Sequence, residues 1–172
     1  PVPDLVFGLL SASYGNIISS TEVDRKEGTK DGLVGFELEG KKFGVVGTGA
    51  IGTRVANIAQ AFGCEVYAYS RTVKDLAGVQ YVDLEELLST CDIISLHVPL
   101  NASTKGLISE KEIALMKPNA VLINTARGPV VDSKALADAL NEGKIAGAAV
   151  DVFENEPAVA KDHPLLHAKN LI

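Results

Sequence analysis

Between residues 42 and 151, short apolar runs alternate with amphipathic stretches, and this alternation restricts the fold more than any other feature of the chain. The runs are KFGVVG (42–47), CEVYAYS (64–70), the weaker VQYV (79–82), DIISLHV (92–98), AVLINT (120–125) and IAGAAVD (145–151), and NLI (170–172) opens a seventh. Between them lie IGTRVANIAQAFG (51–63), stopped by Gly63, and DLEELLST (83–90). SEKEIALMKP (109–118), ended by Pro118, and DSKALADALNEG (132–143), closed by Gly143, follow. Asp83 with Glu86, and Ser109 with Glu112, have capping-box spacing, and Asp132 can cap the last helix. Strands that are apolar almost throughout must be covered on both faces, and helices placed between them make a parallel sheet. The expected class is α/β, a doubly wound parallel sheet.

Ahead of the alternation, Val2, Leu5, Val6, Leu9, Leu10, Ser13 and Ile17 fall at helical spacing, with Pro3 acceptable in a first turn. The polar stretch SSTEVDRKEGTKDG (19–32) then reads as a surface loop. Its length frees the helix from the following strand, and the apolar face of Leu5, Val6, Leu9, Leu10 and Ile17 would be an uncomfortable patch on a monomer. The expectation is a homodimer built through this helix. Residues 1–32 would be a helical dimerisation arm and linker, and residues 33–172 the core. Pro1 stands directly before the helical pattern, and KNLI ends the chain with no turn signal. Both ends suggest a single domain cut from a longer chain, severed inside its last strand.

The chain's 172 residues can bury a substantial core in one domain. A net charge of −6 argues against a nucleic acid or an anionic membrane as partner. No apolar run approaches the ~20 residues of a membrane helix, and no signal peptide opens the chain. Cys64 and Cys91 have the spacing of no zinc or redox motif. They are expected to be reduced packing residues of a cytoplasmic protein, and no metal site is expected.

Gly47, Gly49 and Gly52 spell G-x-G-x-x-G between the first strand and the helix that follows it. In that context the glycines serve a tight turn, close backbone approach to a pyrophosphate, and tight helix–strand packing. The amides of Ala50 and Ile51 would point at the diphosphate from the positive end of the helix dipole. The expected architecture is the Rossmann fold and the expected ligand a dinucleotide. An acidic residue normally holds the adenosine ribose ~20 residues further on. Here Ser70, 18 residues beyond Gly52, ends the second strand, and Arg71 and Thr72 follow. A carboxylate would repel a 2′-phosphate, whereas two hydroxyls and a guanidinium can donate to one. NADP is therefore the preferred cofactor, with NAD admitted if Arg71 is merely solvated beside a permissive site.

Ligands of open parallel sheets lie beyond the carboxyl ends of the strands. Three later strand ends carry polar runs: LHVPLNAST, NTARGPVVD and VDVFENEP. Arg127, between a buried strand and a Gly-Pro turn, suits an anionic substrate. Together with the glycine loop, and in this order, these runs resemble the D-isomer-specific 2-hydroxyacid dehydrogenases, whose members include phosphoglycerate, D-lactate, formate and glyoxylate/hydroxypyruvate enzymes. The resemblance covers nearly the whole chain. It implies that this segment is the nucleotide-binding domain, inserted between two parts of a discontinuous substrate domain that the chain lacks.

The same resemblance assigns residues. It implies that Arg127 binds the substrate carboxylate and carbonyl, and that Glu156 pairs with a catalytic histidine and raises its pKa. Asp151 would hydrogen-bond the nicotinamide carboxamide. Val98 and the run Thr125, Ala126 and Arg127 would line the nicotinamide half, with Pro99 and Thr104 nearby. The family's histidine would follow the strand begun by NLI, beyond Ile172. His97 is expected to shape the cofactor pocket, and His163 and His167 to be solvated. The chain departs from many relatives at Gly15, where they carry a bulky or basic residue. Its Ser70-Arg71-Thr72 resembles the NADP-preferring glyoxylate/hydroxypyruvate branch. The implied activity is hydride transfer between NAD(P)H and a small 2-keto acid or D-2-hydroxy acid, with dimerisation through this domain. A nucleotide-sensing, corepressor-like binding protein without turnover is the alternative.

Overall fold

The computed structural model describes residues 1–14 and 35–172. Gly15, Ile17 and the 19–32 stretch therefore lie outside the described residues. Helix α1 (Val2–Tyr14) is followed by β1 (Lys42–Val46), α2 (Ala50–Ala61), β2 (Glu65–Tyr69), β3 (Val79–Tyr81) and α3 (Leu84–Thr90). Then come β4 (Ile93–Leu96), α4 (Glu110–Leu115), β5 (Val121–Asn124), α5 (Ser133–Asn141) and β6 (Gly147–Val150). The strands form one sheet in the order β3-β2-β1-β4-β5-β6, and every neighbouring pair is parallel. The order reverses beside β1, so the crevice above β1 and β4 is the place where such sheets bind ligands.

Each of the six complete apolar runs is a strand, trimmed by a residue or two at its ends. NLI lies where a seventh strand would begin, bridging Leu171 to Ala148 in parallel. The Ala148 N–H donates to Asn170 O at 3.1 Å, and the Val150 N–H to Ile172 O at 2.9 Å. The expected caps are also found. Asp83 accepts the Glu86 N–H at 2.8 Å, which is the first half of the expected box, and Asp132 accepts that of Ala135 at 3.0 Å. Glu112 takes both the N–H and the hydroxyl of Ser109.

Successive strand residues face opposite layers. Ile94, Leu96 and Leu122 pack under α3, α4 and α5 with Leu87, Leu136 and Leu140. Ile93, Ile123, Phe43 and Val45 pack under α1 and α2 with Leu10, Val55 and Ala59. At the amino ends of the strands, buried Asp92 accepts the Lys42 N–H at 2.9 Å, Lys117 Nζ at 2.8 Å and Asn119 Nδ2 at 3.0 Å. Burial opposes its charge, but these donors together hold its carboxyl below the ordinary value of 3.8. Cys64 and Cys91 are buried free thiols, as expected of packing residues. Burial, and secondarily Asp92, pushes Cys91 up to about 12.

Helix α1 departs from expectation. It does not reach away from the domain but lies on its own sheet. Val6 and Leu10 are fully buried, and Pro3, Phe7 and Tyr14 nearly so. Phe7 stacks with Phe43 at 5.8 Å and with Phe62 at 5.3 Å. The buried face is thus Pro3, Val6, Phe7, Leu10 and Tyr14, while Leu5 and Leu9 sit on its margin. A stripe read from aliphatic spacing alone left out the two aromatics, and their burial makes the domain itself the helix's partner.

Candidate functional site

The three glycines of the first loop are held by different forces. Gly47 has φ +95°, and a Cβ there would strike the carbonyl of His97. A Cβ on Gly52 would strike the carbonyl of Gly47. Both are demanded by packing. Gly49 is not, since no atom lies within 4 Å of the place its Cβ would take. It sits at the N-cap of α2, where no side chain caps the helix, and Ala50 and Ile51 beside it are exposed. The N–H groups of Gly49, Ala50 and Ile51 find no backbone acceptor among the described residues. An open position, unused donors and a helix dipole together fit a diphosphate brought close to the backbone. Thr48, 1% exposed, is pinned from two sides: Tyr81 Oη lies 3.0 Å from its Oγ1, and Thr53 Oγ1 donates to its carbonyl at 3.1 Å. The G-x-G-x-x-G spacing carries no sign of this support.

Ser70 lies beside the loop, because the Gly47 N–H donates to Tyr69 O at 2.8 Å. Ser70 is half-buried, while Arg71 and Thr72 are exposed. Among the described residues Arg71 makes no ion pair, so its guanidinium can turn toward a ligand.

On the other side of the crevice, the His97 N–H donates to Val46 O at 2.7 Å. The imidazole Nε2 lies 2.7 Å from Ser95 Oγ, and burial pushes its pKa down to about 4. A ring that is neutral at neutral pH and tied to a buried serine suits shaping the pocket. Val98 packs against Gly47. Pro99 is exposed, and its carbonyl accepts the hydroxyl of Thr104, which itself takes the Asn101 N–H at 2.9 Å. The Thr104 hydroxyl is thus used within its own loop.

Asn124, at the end of β5, shapes the turn that carries Arg127. Its Nδ2 donates to Arg127 O at 3.0 Å, and its Oδ1 accepts the Ala126 N–H at 3.1 Å. The carbonyl of Asn124 accepts the Asp151 N–H at 3.1 Å, placing Asp151 on the adjacent strand end. Arg127 is exposed, with Nη1 on Ala126 O at 2.6 Å. Thr125 Oγ1 is buried without a partner, an orphan that a bound ligand could satisfy. Gly128 lacks a Cβ where the backbone of Phe153 presses on it, so the loop after β6 can close against the loop after β5. In that loop Glu156, itself exposed, accepts the Phe153 N–H through Oε1 at 2.6 Å. The carboxyl ends of β1, β4, β5 and β6 thus gather the glycine loop, Val98, Thr125, Arg127 and Asp151 at one end of the sheet.

Asn124, Gly128 and Tyr81 were not among the expected site residues. Only Asn124 left a trace, as a polar residue closing an apolar run. His163 requires a correction: it is buried, not solvated, with its ring edge-on to Phe153. His167 is exposed, as expected. No group of three or more His, Cys, Asp or Glu side chains among the described residues could hold a metal. No helix among them is long and apolar enough to cross a membrane.

Comparison with known proteins meets this geometry. Residues 7–172 match the family model for the D-isomer specific 2-hydroxyacid dehydrogenase, NAD binding domain. A glyoxylate reductase of Thermococcus litoralis is 46% identical over 181 residues, covering 98% of this chain and 54% of that enzyme. Among solved structures, an acyclic imino acid reductase in complex with NADPH and D-Arg superposes with a TM-score of 0.92 at 38% identity, over 99% of this chain and 55% of that one. The NAD-complexed D-isomer specific 2-hydroxyacid dehydrogenase of Lactobacillus delbrueckii ssp. bulgaricus gives 0.89 at 29% identity, over 99% and 57%. The chain spans about half the length of these relatives. With its glycine loop, its parallel sheet and a match over nearly its whole length, the chain belongs to the D-isomer specific 2-hydroxyacid dehydrogenase family, as its NAD binding domain.

Proposed function

We propose that the protein carrying this domain transfers a hydride between NAD(P)H and a small 2-keto acid, interconverting it with the D-2-hydroxy acid. The observation that carries this reading is Arg127. It is an exposed guanidinium held out from the end of β5 by the Asn124 turn, beside the unpartnered Thr125 hydroxyl. When bound, the dinucleotide supplies the hydride. The chain's own residues bind and orient, while the proton donor lies outside residues 1–172. The Gly49–Ile51 amides hold the diphosphate, and Asp151 orients the nicotinamide carboxamide beside Val98 and the Thr125–Ala126 backbone. Arg127 binds the keto-acid carboxylate bidentately and polarises its carbonyl. Glu156 supports the proton donor. Removing the guanidinium leaves the substrate unpositioned, so Arg127→Ala should lower kcat/KM for glyoxylate, hydroxypyruvate or pyruvate by about 10²-fold or more, with Arg127→Lys in between. Unchanged turnover in Arg127→Ala would rule the reading out.

NADP is the preferred cofactor in this reading. Arg71, Ser70 and Thr72 can donate to a 2′-phosphate, and no acidic side chain ends β2 to repel it. Calorimetric titration should show NADPH binding several-fold tighter than NADH, with the preference lost in Arg71→Ala; equal affinities would overturn it. The partners proposed are a small 2-keto or 2-hydroxy acid and a second copy of the chain, not a nucleic acid or a membrane. Two reduced, buried thiols support a cytoplasmic location.

A further inference from the structure

The chain beyond the Asp151–Glu156 loop carries a buried histidine that the dinucleotide site does not use. His163 is 9% exposed and opens the 3-10 turn Pro164–His167. Its Nδ1 accepts the Leu165 N–H at 3.3 Å. Since Nδ1 is the acceptor, the ring proton lies on Nε2. That Nε2 is buried without a hydrogen-bond partner, and the Glu154 carboxylate stands 3.7 Å away. The ring meets Phe153 edge-on, with centroids 5.5 Å apart and planes at 87°.

Both neighbours of the ring belong to the loop that carries Glu156. The Phe153 N–H is the donor to Glu156 Oε1. The Phe153 carbonyl sits against Gly128, where a side chain would collide with it. His163 is itself anchored to the core. Leu165, 4% exposed, packs in the cluster under α5, and the His163 N–H donates to Ala160 O at 3.0 Å. Phe153 is therefore held at its ring by a fixed imidazole and at its carbonyl by the close approach of Gly128.

We infer that His163 is a positioning residue: its ring fixes Phe153, and with it the N–H that aims the Glu156 carboxylate. Glu156 is exposed, so water competes for its oxygens, and only a donor that does not move can set its direction. The consequence for turnover rests on the proposed role of Glu156, while the contact itself does not.

The Phe153 amide proton reports the bond directly, because a charge-assisted hydrogen bond to a carboxylate moves its NMR resonance downfield. Glu156→Gln sets the resonance of an amide released from that charge. His163→Ala should shift Phe153 most of the way toward the Glu156→Gln position, and His163→Phe, which keeps a ring beside Phe153, should shift it less. In the protein carrying this domain, His163→Ala should lower kcat by about tenfold, with a smaller change in KM. A folded His163→Ala chain whose Phe153 amide stays at the wild-type position overturns the inference. Should that variant fail to fold, Phe153→Leu removes the ring that meets His163 along with part of its packing on the core, and a residue-153 amide as far downfield of its Phe153→Leu/Glu156→Gln counterpart as wild type is of Glu156→Gln overturns it equally. Unchanged turnover in Glu156→Gln would reject the role of Glu156, and the resonance would still decide that of His163.

Discussion

Gly49 and Gly52 are one chemical type asked to do opposite things. Gly52→Ala must displace the Gly47 carbonyl and should destabilise the chain by about 1–3 kcal/mol. Gly49→Ala meets no atom and should melt near wild type, yet bind dinucleotide at least about tenfold more weakly, because its methyl stands where the diphosphate approaches. Thermal melts paired with calorimetry check both, and equal losses of stability would mean that Gly49 is structural after all. His97 allows a pH prediction. Burial holds its pKa at about 4, below the ordinary 6.5. An unfolded chain therefore takes up the proton first, and the stability contribution present above pH 6.5 is lost as pH falls toward 4. Urea unfolding from pH 7 to 5 should show wild type losing up to about 1.4 kcal/mol per pH unit more than His97→Gln. Parallel curves would show that the imidazole is not buried in its neutral form. The places of Gly47, Ser70 and Arg127 at the ends of strands were legible in the sequence, because each belongs to a local pattern. His163 was not, since a histidine among Lys161, Asp162 and Pro164 reads as solvated, and the Phe153 ring and Glu154 carboxylate that meet it come from an earlier loop.

The elements were legible wherever a cap or a glycine marked their ends. Asp83, Ser109 and Asp132 start helices as their spacing indicated, and Gly63 and Gly143 follow the helix ends with φ of +82° and +70°. Where an element faces was harder to read. Helix α1 has aliphatic residues on more than one side, and its orientation is settled by Phe7 stacking on Phe43, a residue of β1. Leu10→Ala should therefore destabilise the chain by about 2–5 kcal/mol, and to the same extent at any protein concentration, because the contact lies within one copy. Chemical unfolding at two concentrations measures this. A loss confined to the more dilute sample would return Leu10 to an interface between copies.

At the scale of the whole molecule, the class and the six strands of the sheet followed from the alternation, since each apolar run needs two covered faces, while NLI gives only a bridge. The association of copies did not follow in the same way. The burial of Val6 and Leu10 within the domain removes the wide apolar face first expected, and what remains is Leu5, 36% exposed, the margin at Leu9, and Phe62, 47% exposed. We still propose the dimer, through this narrower strip. Sedimentation equilibrium should give twice 18.1 kDa, and Leu9→Asp should return it to 18.1 kDa by placing an unpaired charge in the contact. A wild-type mass of 18.1 kDa at micromolar concentration rejects it. The all-parallel strand order has a further consequence, in time. No two neighbouring strands can form as a hairpin, and β1 meets β4 only after the whole stretch from Val46 to Ile93 has come together. Non-local pairing of this kind places folding in the range of milliseconds to seconds, and until β4 arrives one edge of β1 is open to strands of other molecules. Renaturation from denaturant is therefore a race between closing the sheet and sticking to a neighbour, and recovery should fall as the chain is refolded at higher concentration.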